Sequence, residues 1–310
     1  MTRRGRLRRV IAAGAAALVS GAVSSGPATG APSPRHRAIA IDAGSLQLRG
    51  VRAGSGPTIL LLHGYGESLL AWQGVFDLLA RQADVVALDL PGFGLSSKPV
   101  TGYATDSLAA TILRAMDALG TESVVLAGHS LGGAVAAAVA VAAPEKVRGL
   151  VLVDPAVVRS GWMRGAGQTS PTTRDVIGRG IAAYEAARMR FSGVHDREWM
   201  SESDSAMAYT PAADPEYLQS LQAVLREFDF DYLDPDRSIR LRMPVMIVWG
   251  MFDPTVSVKG GRALARRLST AEFHVVSRSW HRPHVERPAE VAALISRFLG
   301  RLAAVDPPGH

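Results

Sequence analysis

The chain of 310 residues contains no cysteine. That absence excludes disulfide staples, a thiolate nucleophile and a lipid attached through a leader cysteine. Aromatic side chains make up only 6% of the sequence and charged ones only 20%. No apolar run is long enough to span a bilayer, which takes roughly 20 residues; the run Val10 to Val23 has 14. No phosphate-binding loop or dinucleotide fingerprint is present, since Gly92-Phe93-Gly94 is followed by Ser at position 97 and reads as a turn. Asp77, Asp84 and Glu67 show no ligand-like clustering along the chain. These absences lead us to expect no metal, no cofactor and no stable membrane insertion.

Basic charge is also scarcer than it looks. The formal net charge is +6, but Arg3, Arg4, Arg6, Arg8 and Arg9 precede any acid. Without these five, the 34 basic side chains fall to 29 against 28 acids, a net of +1. The body is nearly neutral, which argues against a nucleic-acid partner, because such a protein carries its basic patch on the fold. The arginines followed by an apolar stretch and by Ala28-Thr29-Gly30-Ala31 read as an export signal over residues 1–31, cleaved near Ala31. Thr2 to Arg8 resembles the twin-arginine pattern, with Arg6 where that pattern prefers an apolar residue. The competing reading is a disordered basic tail. Residues 32–37 read as a linker and 304–310 as a tail.

What is abundant is alternation. A hairpin is expected from Arg37 to Arg52 across Ala43-Gly44. Short apolar runs then recur at Thr58–Leu62, Val85–Leu88, Ser123–Ala127, Gly149–Val153, Pro244–Trp249 and Glu272–Val276. Helical stretches lie between them near 68–82, 104–119, 130–143, 260–269 and 288–303. This spacing implies βαβ units, hence an α/β fold with a mostly parallel, eight-stranded sheet flanked by helices. The core would comprise 38–158 and 237–303. From 159 to 236 no strand signal occurs, so a helical lid is expected after the sixth strand. Its aromatic and methionine residues, among them Trp162, Met163, Tyr184, Met189, Phe191, Trp199, Met200, Met207, Tyr209, Tyr217 and Phe228, would pack it to the sheet or line a pocket.

The chemistry centres on Val124 to Gly133, where an apolar strand runs into Gly128-His129-Ser130-Leu131-Gly132 and an Ala/Val-rich helix follows. G-x-S-x-G in that setting is a nucleophile elbow, with Ser130 projecting from a tight turn. A serine hydroxyl is a weak nucleophile and needs a base, a group that orients the base, and donors for the developing oxyanion. His36 and His310 fall in expected tails, His195 in the lid, His274 in a strand, and His63 and His129 within other motifs. His281 and His284 remain as the base, in the loop before the last helix. Asp253, after the strand ending at Trp249, is the expected acid. Asp154, after the sixth strand, is its rival, with a turn role before Pro155 as the plainer reading. The backbone N–H groups of Tyr65 and Leu131 are the expected oxyanion donors, and the Tyr65 side chain could line an acyl pocket.

Leu61 to Gly66, Asp89 to Ser96, Gly128 to Gly133, Trp249 to Asp253 and His281 to Pro288 together resemble the sequence blocks of the α/β-hydrolase superfamily, in the right order. The resemblance covers about residues 38–303, in the lidded bacterial branch. Its H-x-P-x-x-E-x-P segment selects His281 as base, although Trp280 stands where the family usually has Gly, which keeps His284 in play. The resemblance implies a serine hydrolase cleaving carboxylic esters through an acyl-enzyme, with Ser130, Asp253 and His281 as the triad. Carbon–carbon or amide hydrolysis, haloperoxidase and acyltransferase chemistry use the same triad, and a non-catalytic binding scaffold is the reading from another class. The expected partner is a small-molecule ester or other acyl substrate, for a monomer or weak homo-oligomer. N-terminal sequencing of exported protein should find a start near Pro32; an intact Met1 on that material would overturn the export reading.

Overall fold

The computed structural model describes residues 36–157, 169–191 and 214–305. The expected leader, most of the linker, and Trp162, Met163, His195, Trp199, Met200, Met207, Tyr209 and His310 lie outside the described residues, as do the side chains of Met189 and Phe191.

Eight strands form one sheet in the order β1-β2-β4-β3-β5-β6-β7-β8. β1 (Arg37–Asp42) and β2 (Gln47–Gly54) make the antiparallel hairpin, and β2 pairs antiparallel with β4 (Asp84–Leu88). β3 (Thr58–Leu62), β4, β5 (Val124–His129), β6 (Val147–Val153), β7 (Val245–Gly250) and β8 (Ala271–Val276) run parallel. The continuous apolar runs are explained by burial on both faces. Leu60, Leu126, Leu150 and Ile247 point into one core, while Ile59, Val125, Val151 and Met246 point into the other. That is the period-two alternation of a strand covered on both sides.

The first core lies under α2 (Thr105–Ala118) and α3 (Leu131–Ala142). The second lies under α1 (Gln73–Leu79), which continues a 3-10 turn at Leu69–Trp72, and under the last helix of the chain, Pro288–Val305. Between β6 and β7 the described residues form α4 (Pro171–Phe191), α5 (Pro215–Glu227) and the short α6 (Pro235–Ser238). Asp214 caps α5 by accepting from the N–H groups of Glu216 and Tyr217. After β7 come α7 (Val258–Arg267), a single turn α8 (Pro283–Glu286) and the last helix, α9. β1 begins at Arg37, where the hairpin was expected to start, whereas α9 runs to Val305, into the expected tail. His36 is no tail residue: its Nε2 lies 2.6 Å from Asp77 Oδ1.

The order of the parallel strands sets where ligands go. The chain passes from β3 to β4 on one side and then to β5 on the other, so β3 and β5 flank a topological switch point. Loops leaving the carboxyl ends of those strands diverge there and open a crevice. No helix among the described residues is long and apolar enough to cross a membrane.

Backbone packs against backbone with no room for a side chain at that switch point. A Cβ on Gly128 would lie 2.2 Å from the Gly132 carbonyl oxygen, and one on Gly132 would lie 2.4 Å from that of His63. Gly128→Ala should therefore destabilise the fold by more than about 3 kcal/mol, because backbone has to move to admit the methyl. A urea midpoint within error of the parent's would contradict this packing.

Candidate active site

Ser130 connects β5 to α3 at φ 48° and ψ −114°, a conformation that non-glycine residues rarely adopt. Its backbone is tied down on both sides. The Ser130 N–H donates to the Val153 carbonyl at 3.0 Å, and the Ser130 carbonyl accepts from the Ala156 N–H at 2.9 Å. The strain is thus held by β6 and by the first turn of α3, which sits flush on the sheet because its residues are Gly, Ala, Leu and Val.

Loops from the ends of β7 and β8 meet this turn. Ser130 Oγ lies 3.1 Å from His281 Nε2, and His281 Nδ1 lies 2.8 Å from Asp253 Oδ2. Asp253 Oδ1 also accepts the N–H groups of Thr255 at 2.7 Å and Val256 at 3.0 Å. Burial works to raise the Asp253 carboxyl, but its bond to His281 and its other donors outweigh that and hold it below its usual value. Burial lowers the His281 imidazole, and the neighbouring Asp253 offsets this only in part. An imidazole that is neutral near pH 7 follows from that direction.

The structure therefore brings together Ser130, His281 and Asp253. His284 lies elsewhere: it is fully buried, with its ring 4.4 Å from those of both Trp72 and His129. Trp280 does not displace His281. Its N–H donates to Glu286 Oε2 at 2.6 Å, and its ring turns outward beside Phe252, 43% exposed. Asp154 does not serve the turn before Pro155. It is fully buried against the β7 end, accepting the Gly250 N–H at 3.0 Å, with its carboxyl beside that of Asp253.

The Tyr65 loop follows β3. The N–H groups of Tyr65 and Leu131 take no backbone partner among the described residues. The Tyr65 hydroxyl donates to the Leu221 carbonyl at 2.7 Å, and the Tyr217 hydroxyl donates to the Gly66 carbonyl at 2.8 Å. These two reciprocal bonds join the loop to α5.

One buried group escaped the sequence reading. Glu67, expected to stand apart, lies in a cluster with His129 and His284. Its Oε2 accepts the Gly64 N–H at 2.7 Å and faces His129 Nδ1 at 3.0 Å, while its Oε1 faces Arg282 Nε at 2.8 Å. His129 Nε2 reaches the His281 carbonyl at 2.7 Å. A carbonyl and a carboxylate only accept, so both His129 nitrogens act as donors. Burial would raise the Glu67 carboxyl, yet His129 and Arg282 hold it well below the usual carboxylate range. The nitrogens and oxygens of Glu67 and His129 that could ligate a metal are thus spent on protein partners. The only sequence signal for Glu67 was its position four residues after His63. Its partners lie 62 and 215 residues away.

His63 is likewise fixed within the fold. Its Nδ1–H donates to the Gly64 carbonyl at 2.8 Å, and its Nε2 accepts the Leu90 N–H at 3.0 Å. Burial, the largest influence, lowers its pKa, which agrees with a neutral ring in that tautomer.

Comparison with known proteins agrees with this architecture. The chain is similar to 2-hydroxymuconate semialdehyde hydrolase of Pseudomonas sp. strain CF600, 28% identical over 81% of this chain and 90% of that one. It is similar to the pimeloyl-[acyl-carrier protein] methyl ester esterase of Aeromonas hydrophila, 28% identical over 80% of this chain and 98% of that one. Among solved structures, a bacterial membrane phospholipase A superposes with a TM-score of 0.67 at 25% identity, over 87% of each chain. The alpha/beta hydrolase fold family matches residues 57–288. With its eight-stranded sheet and the loops that carry Ser130, Asp253 and His281, the chain belongs to the alpha/beta hydrolase family.

Proposed function

We propose that this hydrolase cleaves carboxylic esters through an acyl-enzyme, with Ser130 as nucleophile, His281 as base and Asp253 as the acid that orients it. The observation that carries the reading is the unbroken relay from Ser130 Oγ to His281 Nε2 at 3.1 Å and from His281 Nδ1 to Asp253 at 2.8 Å. Ser130 Oγ attacks the ester carbonyl carbon as its proton passes to His281 Nε2. The carbonyl π electrons move onto oxygen, where the Tyr65 and Leu131 N–H groups hold the oxyanion; each such donor is worth about 3 kcal/mol in the transition state. Collapse breaks the bond to the alkoxy group, which leaves with the proton from His281 Nε2. Water then attacks the acyl carbon and gives its proton to His281. A second collapse releases the acid and returns the proton to Ser130. Asp253 stays ionised throughout, holding the Nδ1–H tautomer and stabilising the imidazolium.

An uncharged ester suits the walls of the site. A substrate with its own carboxylate needs a cation, and Arg282, in the base's own loop, is committed to Glu67 at 2.8 Å. The Tyr65 and Tyr217 hydroxyls are committed to backbone carbonyls. The methyl ester esterase relative supports the ester reading, and an export signal in residues 1–31, which we propose from their sequence, would place the reaction beyond the cytoplasmic membrane.

Hydrolysis of p-nitrophenyl esters from acetyl to palmitoyl chains tests the proposal. Ser130→Ala should lower kcat by about 10³-fold or more. Folded parent protein that turns over none of the series, or a variant equal to it, would refute ester chemistry at Ser130. The pH profile follows from the buried base. The reaction needs neutral His281, so kcat/KM should fall as pH drops through its pKa. Because that pKa is lowered, the acid limb should bend below the ordinary histidine value of about 6.5. A limb bending above that value would count against His281 as base.

A further inference from the structure

Asp154 is a buried acid to which the proposed reaction gives no task. It follows β6, is fully buried, and has φ 41°. Its N–H donates to the Val248 carbonyl at 3.0 Å, and its carboxyl accepts the Gly250 N–H at 3.0 Å, so it bridges β6 to the end of β7. On its other side its carboxyl faces that of Asp253. Ligand atoms of Asp154, Asp253 and His281 all lie within 4.8 Å of one another.

Two carboxyl groups this close together and away from water do not both ionise, and one keeps a proton that the other can accept. The donors around each decide which. Asp253 receives His281 Nδ1–H, Thr255 N–H and Val256 N–H. Among the described residues, Asp154 receives the Gly250 N–H alone. The anion is stabilised where the donors converge, on Asp253. We infer that Asp154 is a positioning residue held as a neutral carboxylic acid, its O–H donating to Asp253 and fixing the carboxylate that faces His281. This rests on the reading of Asp253 as the acid of the triad.

The surrounding charges point the same way. Asp253 and His281 face Asp154 from the loops after β7 and β8, and Glu286 faces it from α8, adding further negative charge. His129, at the end of β5, lies against His281 with ring centroids 4.9 Å apart and the ring planes tilted by 56°. α3, which starts beside Asp154, has no titratable residue. Burial and the Asp253 charge push the Asp154 carboxyl well above its usual value. The pair therefore carries one negative charge, not two, beneath the base.

Asp154→Asn and Asp154→Gly test this, since both residues tolerate a positive φ. Asn keeps a donor toward Asp253 and the charge of the pair. Its kcat and the acid limb of kcat/KM should match the parent's. Gly removes the donor, and kcat should fall about tenfold or more with KM changed less than about threefold. If Asp154 were ionised in the parent, Asn would remove a negative charge beside His281. The acid limb would then move down by about one pH unit or more, which overturns the inference. Parent-like kcat in Asp154→Gly overturns it as well. Carbon-13 NMR of the parent's labelled aspartate carboxyls reads protonation without catalysis or variants. Asp154 should keep the shift of a protonated carboxyl over roughly pH 5 to 8, well above the free aspartate value; the shift of a carboxylate would refute the inference. That readout stands even if no ester is hydrolysed, so failure of the ester reading and failure of this one remain distinct.

Discussion

The site depends on a steric constraint: three loops converge on Ser130 with no space for a side chain at the points of contact. Gly128, Gly132 and Gly64 each face an atom that an added Cβ would approach within 2.6 Å. Gly250 faces the Trp280 carbonyl oxygen at 1.7 Å in the same sense. Contacts this close tolerate little sliding of one loop over another. They convert the positive φ of Ser130, which is unfavourable alone, into the only backbone path that packs. The proposed nucleophile is thereby presented to His281 with little conformational freedom left to lose, which is the part of catalysis that positioning would supply.

Charge then locks what packing has placed. On one side of His281, Glu67 gathers the Gly64 N–H, His129 and Arg282, and His129 in turn holds the His281 carbonyl. The loop after β3, the elbow and the base's loop are joined by that one carboxylate. On the other side, Asp253 faces the His281 ring with backbone donors behind it. The two clusters act on different parts of the same residue, one on its backbone and the other on its imidazole. A buried carboxylate is costly unless donors and charge surround it, and breaking such a network by removing one partner is strongly destabilising. Both clusters meet that condition with short-range partners supplied by separate loops.

Much of this was legible because the fold is built from local signals. Strands buried on both faces read as apolar runs, so Thr58–Leu62 was located to the residue, and β5 and β7 to within a residue or two at either end. The elbow announces itself because the turn needs small residues at fixed offsets. His281, by contrast, could be separated from His284 only through resemblance, since three positions in one loop leave both within reach of the strand ends. The structure separates them by burial: His284 fills the space between Trp72 and His129. Glu67 and Asp154 were not legible in their final roles. Each is defined by partners dozens or hundreds of residues away, and no local pattern encodes a contact between Asp154 and Gly250.

The contrast between core and insertion explains why fold and chemistry are easier to read here than substrate choice. A parallel sheet imposes strict alternation and tight turns, and its crevice lies where strand order reverses. The insertion between β6 and β7 obeys weaker rules. α4 exposes Val176, and α5 adds polar bonds to its buried apolar face. Yet those bonds run directly to the Tyr65 loop. The hydroxyl of Tyr217 and the carbonyl of Leu221, both in α5, hold the segment that would also donate to the oxyanion. A change in α5 made to admit a different acyl group would therefore pull on the Tyr65 N–H. On the proposed mechanism, substrate shape and transition-state stabilisation would be mechanically linked at that point, so that altering one would disturb the other.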